Sequence, residues 1–204
     1  VLLAAAAEER REMGAFLEPY AEQARAAGAV IRTGVEVGED LVKAEKPDVV
    51  ILATGGEPLC PPIPSTADEK VEYAWDVLAG KAVTGKRVVV IGGGAVGIET
   101  ALVLAKIGAI DAETLMFLFL NKAEEPDRLR ECATRGVKNV AIVEMLDRAG
   151  ADIGLTTRWI ALRRLQQHGV RVMTHTRAVE ITPQGLWVEK KEGRELIPCD
   201  TVVM

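Results

Sequence analysis

The stretch Arg87-Val-Val-Val-Ile-Gly-Gly-Gly-Ala-Val-Gly-Ile-Glu-Thr-Ala-Leu-Val-Leu-Ala105 decides the fold of this chain. Residues 88–91 form an unbroken β-branched run, which is typical of a strand buried on both faces of a parallel sheet. Gly92, Gly94 and Gly97 follow with G-x-G-x-x-G spacing. The apolar residues beyond them repeat at the spacing of one helix face. The stretch therefore predicts a strand, a glycine turn and a helix, in that order.

A strand, a glycine turn and a helix in this order form a phosphate-binding device. Gly92 allows the tight turn, Gly94 lets a pyrophosphate approach the backbone, and Gly97 lets the helix pack closely on the strand. The free N–H groups and the positive end of the helix then face the phosphates. The candidate cofactor-binding residues are those of the turn, Gly92, Gly93, Gly94, Ala95, Val96 and Gly97. A glycine-rich turn with a purely structural role is the alternative.

Composition limits the class of protein. The chain has 204 residues, of which 49% are hydrophobic, so it can hold one large domain or two small ones. Its net charge of −5 argues against nucleic-acid and anionic-membrane partners, and it has no apolar run near the roughly 20 residues that span a bilayer. The three cysteines, Cys60, Cys132 and Cys199, are too widely spaced for a local zinc or redox motif. We therefore expect a cytoplasmic protein with reduced thiols and no metal site.

The two ends of the chain indicate a piece of a longer protein. Residues 1–7 resemble part of a signal peptide, but they lack a basic n-region and four charged residues follow at once, so we reject that interpretation. The chain starts with Val1 and stops at Met204, inside an apparent buried strand. We therefore interpret it as an excised fragment.

The region before the turn predicts helices and strands joined by a proline-rich connection. A helical pattern is expected to stop at Gly28 and to kink or split at Pro19. The predicted elements are a helix at about 9–27, a short strand at 29–32, a short helix or turn at 38–45, a strand at 49–53 and a helical turn at 73–78. Four prolines between residues 57 and 65 predict an extended connection with a domain boundary inside it. We expect a first segment at 1–57, a linker at 58–83 and a nucleotide-binding domain at 84–204.

A long insertion follows the motif helix. A dinucleotide-binding unit usually places an acidic residue at the end of its second strand, about 20 positions after the glycines. Here the next strand, residues 140–143, ends at Glu144, 47 residues beyond Gly97. The extra length, residues 111–136, predicts two helices near 113–120 and 126–133. The apolar run 115–120 is expected to pack within the insertion, and a contact with another domain is the alternative.

Short apolar runs separated by turn residues predict a β-rich end of the chain. Before it, Thr156 or Thr157 can cap a helix that His168-Gly169 closes. The predicted strands are residues 170–173, 178–181, 186–189, 195–197 and 201–204. The fold class is therefore α/β, with a parallel sheet, a β-meander and a helical insertion.

Few residues outside the turn are candidates for chemistry. Glu144 can accept hydrogen bonds from both adenosine ribose hydroxyls, with an ordinary surface glutamate as the alternative. Arg148 could instead neutralise the extra phosphate of NADPH, but we weigh Glu144 higher and expect a preference for NADH. Glu99 is expected in the first turn of the motif helix, where its charge suits the helix dipole. His168 and His175 have no partner at metal or triad spacing and are interpreted as structural. A cofactor is therefore expected to carry the reaction.

The motif Gly92-Gly-Gly-Ala-Val-Gly-Ile-Glu99, together with Ala53-Thr54-Gly55 after an earlier apolar run, resembles the paired-domain flavoprotein reductases. Further features are the proline-rich link, Trp75-Asp-Val-Leu78, the insertion and Asp152-Ile-Gly-Leu-Thr-Thr-Arg-Trp159. They resemble the C-terminal half of the NADH:flavin oxidoreductase family that includes 2,4-dienoyl-CoA reductase and trimethylamine dehydrogenase. The similarity covers nearly the whole chain.

This resemblance implies a Rossmann-like, three-layer FAD/NAD(P)-binding fold. Family members hold FMN and a 4Fe-4S cluster in an N-terminal barrel, followed by an FAD domain that an NAD(P)-type domain interrupts. Residues 1–57 would then be part of the FAD domain, with Thr54 and Gly55 as cofactor-binding residues. We expect the FAD domain's own glycine motif to precede Val1, so that the fragment alone is colourless and inactive. The incomplete FAD sheet is expected to favour self-association through residues 13–53.

The same resemblance places Glu99 near the nicotinamide, as the candidate catalytic residue. We interpret the chain as the nucleotide-binding part of an NAD(P)H-dependent flavin oxidoreductase that passes hydride from NADH to FAD. Electrons would continue through the cluster and FMN to the substrate, for example an enoyl- or dienoyl-CoA. The expected partners are NAD, with NADP less favoured, and the remaining domains of the parent protein. The alternative is a non-catalytic module that holds ADP or another adenine nucleotide.

Overall fold

The computed structural model describes residues 3–6 and 8–204, so Val1, Leu2 and Ala7 of the segment weighed as a signal peptide lie outside the described residues. The chain divides into two compact units, Val1–Leu59 and Cys60–Met204. The division falls within the proline-rich stretch. Most of the expected linker, residues 58–83, therefore belongs to the second unit, where it includes a strand and a helix.

Within its described residues, the first unit contains three helical segments, which are a 3₁₀ helix Glu8–Phe16, α1 (Leu17–Ala26) and α2 (Glu39–Glu45). The helix predicted at 9–27 is confirmed, but it is split into a 3₁₀ part and an α part. Pro19 lies in the first turn of α1, where its missing N–H leaves no intrahelical bond unmade. Gly28 has a φ of +89° just beyond the helix end, as expected. The short helix predicted at 38–45 is also confirmed, with Gly38 as its N-cap.

The two strands predicted in the first unit are wrong. Residues 29–32 and 49–53 form no strand within the part of this unit that the structure describes. Ile51 and Leu52 are each 85% exposed. An apolar run becomes a stable strand only where a neighbour supplies hydrogen-bond partners and apolar cover. Among the described residues of this unit, no strand supplies them.

The second unit is built on a five-stranded parallel sheet. Its strands, in spatial order, are β1 (Val71–Glu72), β8 (Thr201–Val203), β2 (Arg87–Ile91), β3 (Asn139–Val143) and β4 (Arg171–Met173). All neighbouring pairs are parallel, which confirms the predicted sheet. From β2 the chain continues to β3 and β4 on one side, and β8 returns to the other side of β2.

Helices cover one face of this sheet, and they are α3 (Ala74–Leu78), α4 (Ala95–Lys106) and α7 (Leu155–Gln167). α4 follows the glycine turn as predicted, and Gly108 lies just beyond its end with a φ of +84°. The cap predicted for α7 at Thr156 or Thr157 is wrong, because its N-cap is Gly154. The carbonyl of Gly154 already accepts the N–H groups of Thr157 and Arg158, so the helix starts before the threonines.

An antiparallel meander covers the other face, and its strands are β5 (Arg177–Thr182), β6 (Gly185–Lys190) and β7 (Gly193–Pro198). The side chains of β2 alternate between the two layers. Val88 and Val90 pack in the cluster that contains the helices, whereas Val89 packs with residues of the meander. Because each is at most 2% exposed, β2 is buried on both faces, as its unbroken β-branched sequence predicted. The three-layer α/β fold is confirmed.

The helical insertion consists of α5 (Ala112–Leu120) and α6 (Pro126–Thr134), as predicted. Asp111 caps α5, since its Oδ1 accepts the N–H of Thr114 at 2.7 Å. The structure describes every residue of α5, and none of them is buried. Phe117 is 62% exposed and Leu120 is 69% exposed, whereas Leu115 and Leu118 are half-buried. The expected packing within the insertion therefore covers only part of this apolar run. A helix that is apolar on all sides offers more apolar surface than one short partner can cover.

Candidate nucleotide-binding site

The glycine turn lies at the carboxyl-terminal edge of the parallel sheet. β2 ends at Ile91 and β3 ends at Val143, and these two residues are register partners. The N–H of Gly92 donates to the carbonyl of Val143 at 2.9 Å, so the turn starts directly beside the end of β3. The chain leaves β2 towards β3 and returns as β8 on the other side. Such a switch point in a parallel sheet forms a crevice in which ligands bind.

Two glycines of the turn are required by its geometry. Gly92 has a φ of +97°, which residues with a side chain rarely adopt. A Cβ added to Gly97 would lie 2.0 Å from the carbonyl oxygen of Gly92, far inside van der Waals contact. α4 therefore approaches the turn at a distance that only glycine permits. This agrees with the tight-turn role expected for Gly92 and the close-packing role expected for Gly97.

Glu144 braces the turn from the end of β3. Its Oε2 accepts the N–H of Gly93 at 2.6 Å, and its Oε1 accepts the N–H of Leu146 at 2.8 Å. The residue is buried, with 8% of its surface exposed. A Cβ on Gly93 would lie 3.1 Å from Oε2 of Glu144 and 3.0 Å from Cβ of Ala149, so a side chain here would crowd this contact. Sequence reasoning placed Glu144 at a strand end but missed its bond to the turn.

The carboxylate of Glu144 keeps capacity for a ligand. A carboxylate offers about four lone-pair positions, and the two backbone N–H groups use two of them. The backbone of Glu144 is also fixed, because its N–H donates to Met173 at 2.8 Å and its carbonyl accepts from Thr176 at 2.9 Å. Glu144 is thus a firmly held acceptor beside the crevice, suited to a pair of hydroxyl groups.

An aspartate that sequence reasoning did not select contacts the N-terminus of α4. The helix begins at Ala95, after Gly94 as an extended N-cap that has no side chain. The N–H of Ala95 donates to both carboxylate oxygens of Asp152, at 3.0 and 3.2 Å. Asp152 lies 57 residues further along the chain, so no spacing rule relates the two residues. The start of α4 therefore already holds an anionic group.

Two further residues of the predicted site lie on α4. Val96 is in the first turn and is 45% exposed. Glu99 is half-buried and is the fifth residue of α4, so the expectation that it lies in the first turn is wrong. The backbone of Gly94 is still extended, so the helix starts at Ala95. The structure describes every residue of α4, and the first turn of this helix contains no acidic residue. The helix dipole acts mainly within the first turn and gives Glu99 little stabilisation.

Three other predicted site residues are exposed. The side chain of Arg148 is 63% exposed, and its Nε lies 3.6 Å from Oδ1 of Asp147. Thr54 and Gly55 belong to the first unit, where both are exposed and Gly55 has a φ of +82°. The structure thus brings Glu144 into contact with the turn and leaves Arg148 in the loop that follows.

The histidines and cysteines do not form a second site. Nδ1 of His168 lies 2.8 Å from the carbonyl of Thr134, which ties the end of α7 to α6 and fits a structural role. Cys60, Cys132 and Cys199 are free thiols, and burial raises the pKa of the Cys199 thiol. Across residues 3–6 and 8–204, no group of three or more His, Cys, Asp or Glu side chains is placed to hold a metal ion. None of the helices described there is long and apolar enough to cross a membrane.

The residues of the turn fit the diphosphate of a dinucleotide. The positive end of α4 faces the crevice, and a carboxylate at this position shows that it accepts negative charge. Gly94 has no side chain to block the approach of a ligand to the backbone. Glu144 stands one strand away, where a hydroxyl-bearing group attached to the diphosphate would meet an acceptor.

Comparison with known proteins agrees with this geometry. The sequence model of the pyridine nucleotide-disulphide oxidoreductase family matches residues 17–204. A metal reductase of Desulforamulus reducens is 43% identical over 155 residues, which cover 76% of this chain and 23% of that protein. An NADH oxidase of Thermoanaerobacter brockii is 36% identical over 173 residues, which cover 83% of this chain and 22% of that protein. The chain therefore spans about a quarter of the length of these relatives.

A solved structure supports the same assignment. The chain is similar to 2-naphthoyl-CoA reductase, solved as a complex with 2-naphthoyl-CoA, with a TM-score of 0.73 and 25% sequence identity. The alignment covers 99% of this chain and 26% of that one. The Rossmann-like α/β fold that the resemblance implied is thus shared with this reductase. With the family model matching from α1 to the last strand, the chain belongs to the pyridine nucleotide-disulphide oxidoreductase family.

Proposed function

We propose that this chain is the nicotinamide-nucleotide-binding module of a flavoprotein oxidoreductase and that it binds NADH. The observation that carries the proposal is the turn from Gly92 to Gly97, which joins the carboxyl end of β2 to the N-terminus of α4 beside the Glu144 carboxylate. A helix N-terminus of this kind stabilises phosphate groups. Membership of a family named for pyridine nucleotides supports the same ligand.

Each part of the site has one task in this proposal. The N–H groups of Ala95 and Val96 would hold the diphosphate, and Gly94 would let it approach. Glu144 would accept hydrogen bonds from the adenosine ribose, and Glu99 would lie near the nicotinamide. The bound nucleotide supplies the hydride, while the residues of this chain bind it and fix its orientation.

For the parent protein we propose a reductase that also holds FAD, FMN and a 4Fe-4S cluster. Thr54 and Gly55 would take part in the FAD site. The proposed electron acceptor is an unsaturated acyl-CoA thioester, which the similarity to 2-naphthoyl-CoA reductase supports. The full-length protein should contain flavin and iron and should oxidise NADH when given an enoyl- or dienoyl-CoA. A full-length protein without flavin would overturn this part of the proposal.

Val96 offers a test of the nucleotide site that leaves the fold intact. An aspartate at this exposed position in the first turn of α4 favours the helix, but it repels a phosphate bound there. Val96→Asn has a similar size and no charge, and serves as the matched control. The measurement is a calorimetric titration of the chain and both variants with NADH and with ADP.

We expect Val96→Asp to weaken NADH binding about tenfold or more, which corresponds to about 1.4 kcal/mol, and Val96→Asn to change it little. Equal NADH affinity of the Asp and Asn variants would place the diphosphate elsewhere. Failure of the unmutated chain to bind NADH at all would overturn the proposed function. ADP binding as tight as NADH binding would favour the module that holds an adenine nucleotide without catalysis.

A further inference from the structure

Asp152 occupies the position at which the glycine turn would receive a phosphate. Both of its carboxylate oxygens accept the N–H of Ala95, the first residue of α4, at 3.0 and 3.2 Å. An ideal Cβ on Gly94 would point at the same carboxylate, with Oδ2 of Asp152 only 3.0 Å away. The space that the second motif glycine leaves free is therefore filled by a negatively charged group of the same chain.

This contact differs from an ordinary helix cap. The N-cap of α4 is Gly94, and the anionic group comes instead from the loop between β3 and α7. That loop is tied to the turn by a hydrogen bond from the N–H of Gly150 to the carbonyl of Gly93 at 2.6 Å. Asp152 itself is exposed, so its side chain can turn towards solvent while the loop stays attached.

We propose that Asp152 competes with the nucleotide diphosphate for the N-terminus of α4 and thereby sets the affinity of the site. A carboxylate and a phosphate cannot both accept the N–H of Ala95, and at such short range they repel each other. Asp152 must leave this N–H before the diphosphate can take it. This inference rests on the proposed function and adds to it a residue that weakens binding.

Competition and a purely structural role predict different outcomes when the charge is removed. If Asp152 is a structural brace, removing its charge lowers both the stability of the fold and the affinity for nucleotide. If Asp152 is a competitor, removing its charge lowers the stability, because the helix dipole loses its negative partner, but raises the affinity for nucleotide. The opposite signs of the two changes identify the role. Asp152→Asn keeps an oxygen that can accept the N–H of Ala95 and removes only the charge, whereas Asp152→Ala removes both.

The experiment measures the affinity of the chain for ADP by calorimetry and the thermal midpoint of unfolding for the same samples. Asp147→Asn is the matched control, since it removes an exposed carboxylate of the same loop that pairs with Arg148 and not with the glycine turn. We expect Asp152→Asn and Asp152→Ala to bind ADP about tenfold more tightly, with a slightly lower midpoint, and Asp147→Asn to leave the affinity unchanged.

The outcomes separate this inference from the proposed function. Unchanged or weaker ADP binding by both Asp152 variants, with measurable binding by the unmutated chain, overturns the competition and leaves the nucleotide site in place. An equal gain in affinity for Asp147→Asn would show that net charge of the loop is responsible, which also overturns it. If neither the unmutated chain nor any variant binds ADP or NADH, the proposed function fails and the inference fails with it.

Discussion

Replacing Glu144 by glutamine should shift the nucleotide preference of the chain away from NADH. The carboxylate holds the turn through Gly93 and the following loop through Leu146, and it has lone pairs left for a ribose. Glutamine keeps the shape but has one oxygen and one NH₂ group. It can satisfy one of the two N–H groups, while its amide faces the other as a second donor. The substitution therefore removes the negative charge and also one brace of the turn.

The two effects differ in size and in their dependence on the ligand. Losing one hydrogen bond to a charged group costs about 1–3 kcal/mol, and this loss weakens NADH and NADPH alike because both use the same turn. The charge also repels the extra phosphate of NADPH, which takes the place of a ribose hydroxyl, whereas NADH has no such phosphate. Two like charges about 4 Å apart repel by roughly 4 kcal/mol at an effective dielectric near 20. Water at the crevice edge reduces this, and we expect about 1.4 kcal/mol, or tenfold.

The ratio of the two affinities isolates the charge effect. Calorimetric titrations with NADH and NADPH should give the unmutated chain a preference for NADH of about tenfold, and Glu144→Gln a ratio close to one. Arg148→Ala is the control, because this exposed arginine is the alternative partner for the extra phosphate. NADPH binding as tight as NADH binding in the unmutated chain would refute the reasoning. Loss of that NADPH binding in Arg148→Ala would then move the specificity to the loop.

Three further predictions concern packing, ligand approach and pH. Gly97→Ala should lower the free energy of unfolding by about 1–3 kcal/mol in urea titrations, since its Cβ would lie 2.0 Å from the carbonyl oxygen of Gly92; an unchanged midpoint would contradict this. Gly94→Val should abolish ADP binding while circular dichroism shows the fold retained, because residue 94 has an ordinary φ of −74°. The hydrogen bond from the Arg87 side chain lowers the pKa of Asp200 from 3.8 to about 2. The ionised Asp200 therefore stabilises the fold fully at pH values above 3.8, and this stabilisation is lost as the pH falls towards 2. Asp200→Asn should therefore flatten the loss of stability in that range, as measured by urea midpoints at each pH.

The second unit was predictable because its patterns are local and strong. The β-branched run of β2 and the glycines after it lie within a dozen residues, and the meander strands are each bounded by turn residues. The insertion also followed from its helical patterns. The predicted cap of α7 was wrong, because the N-cap is Gly154, two residues before Thr156 and three before Thr157.

The first unit shows where such patterns stop being sufficient. Residues 49–53 have the same apolar character as β2, yet Ile51 is 85% exposed and Val89 is 2% exposed. The difference is the neighbour: Val89 is paired with β3 and β8, and among the described residues nothing pairs with Ile51. A strand is defined by long-range hydrogen bonds, which a single run of residues does not contain. The same holds for α5, because the sequence predicted a helix there but not which residues would pack against its apolar side chains.

In the candidate site too, the local part was predictable from the sequence and the long-range part was not. This difference decides which substitutions test the site best. The glycine spacing predicts which N–H groups face the crevice, because they belong to consecutive residues of one turn. It does not predict which anion those N–H groups hold, because a loop from anywhere along the sheet edge can supply one. Glu144 and Asp152 reach the turn from 51 and 57 residues away, and only the folded chain brings them there. Substituting a motif glycine alters packing and ligand approach together, whereas removing the charge of Asp152 changes the competing anion while the glycines stay in place. The carboxylates that surround the turn are therefore the more specific probes of a nucleotide site than the glycines that identified it.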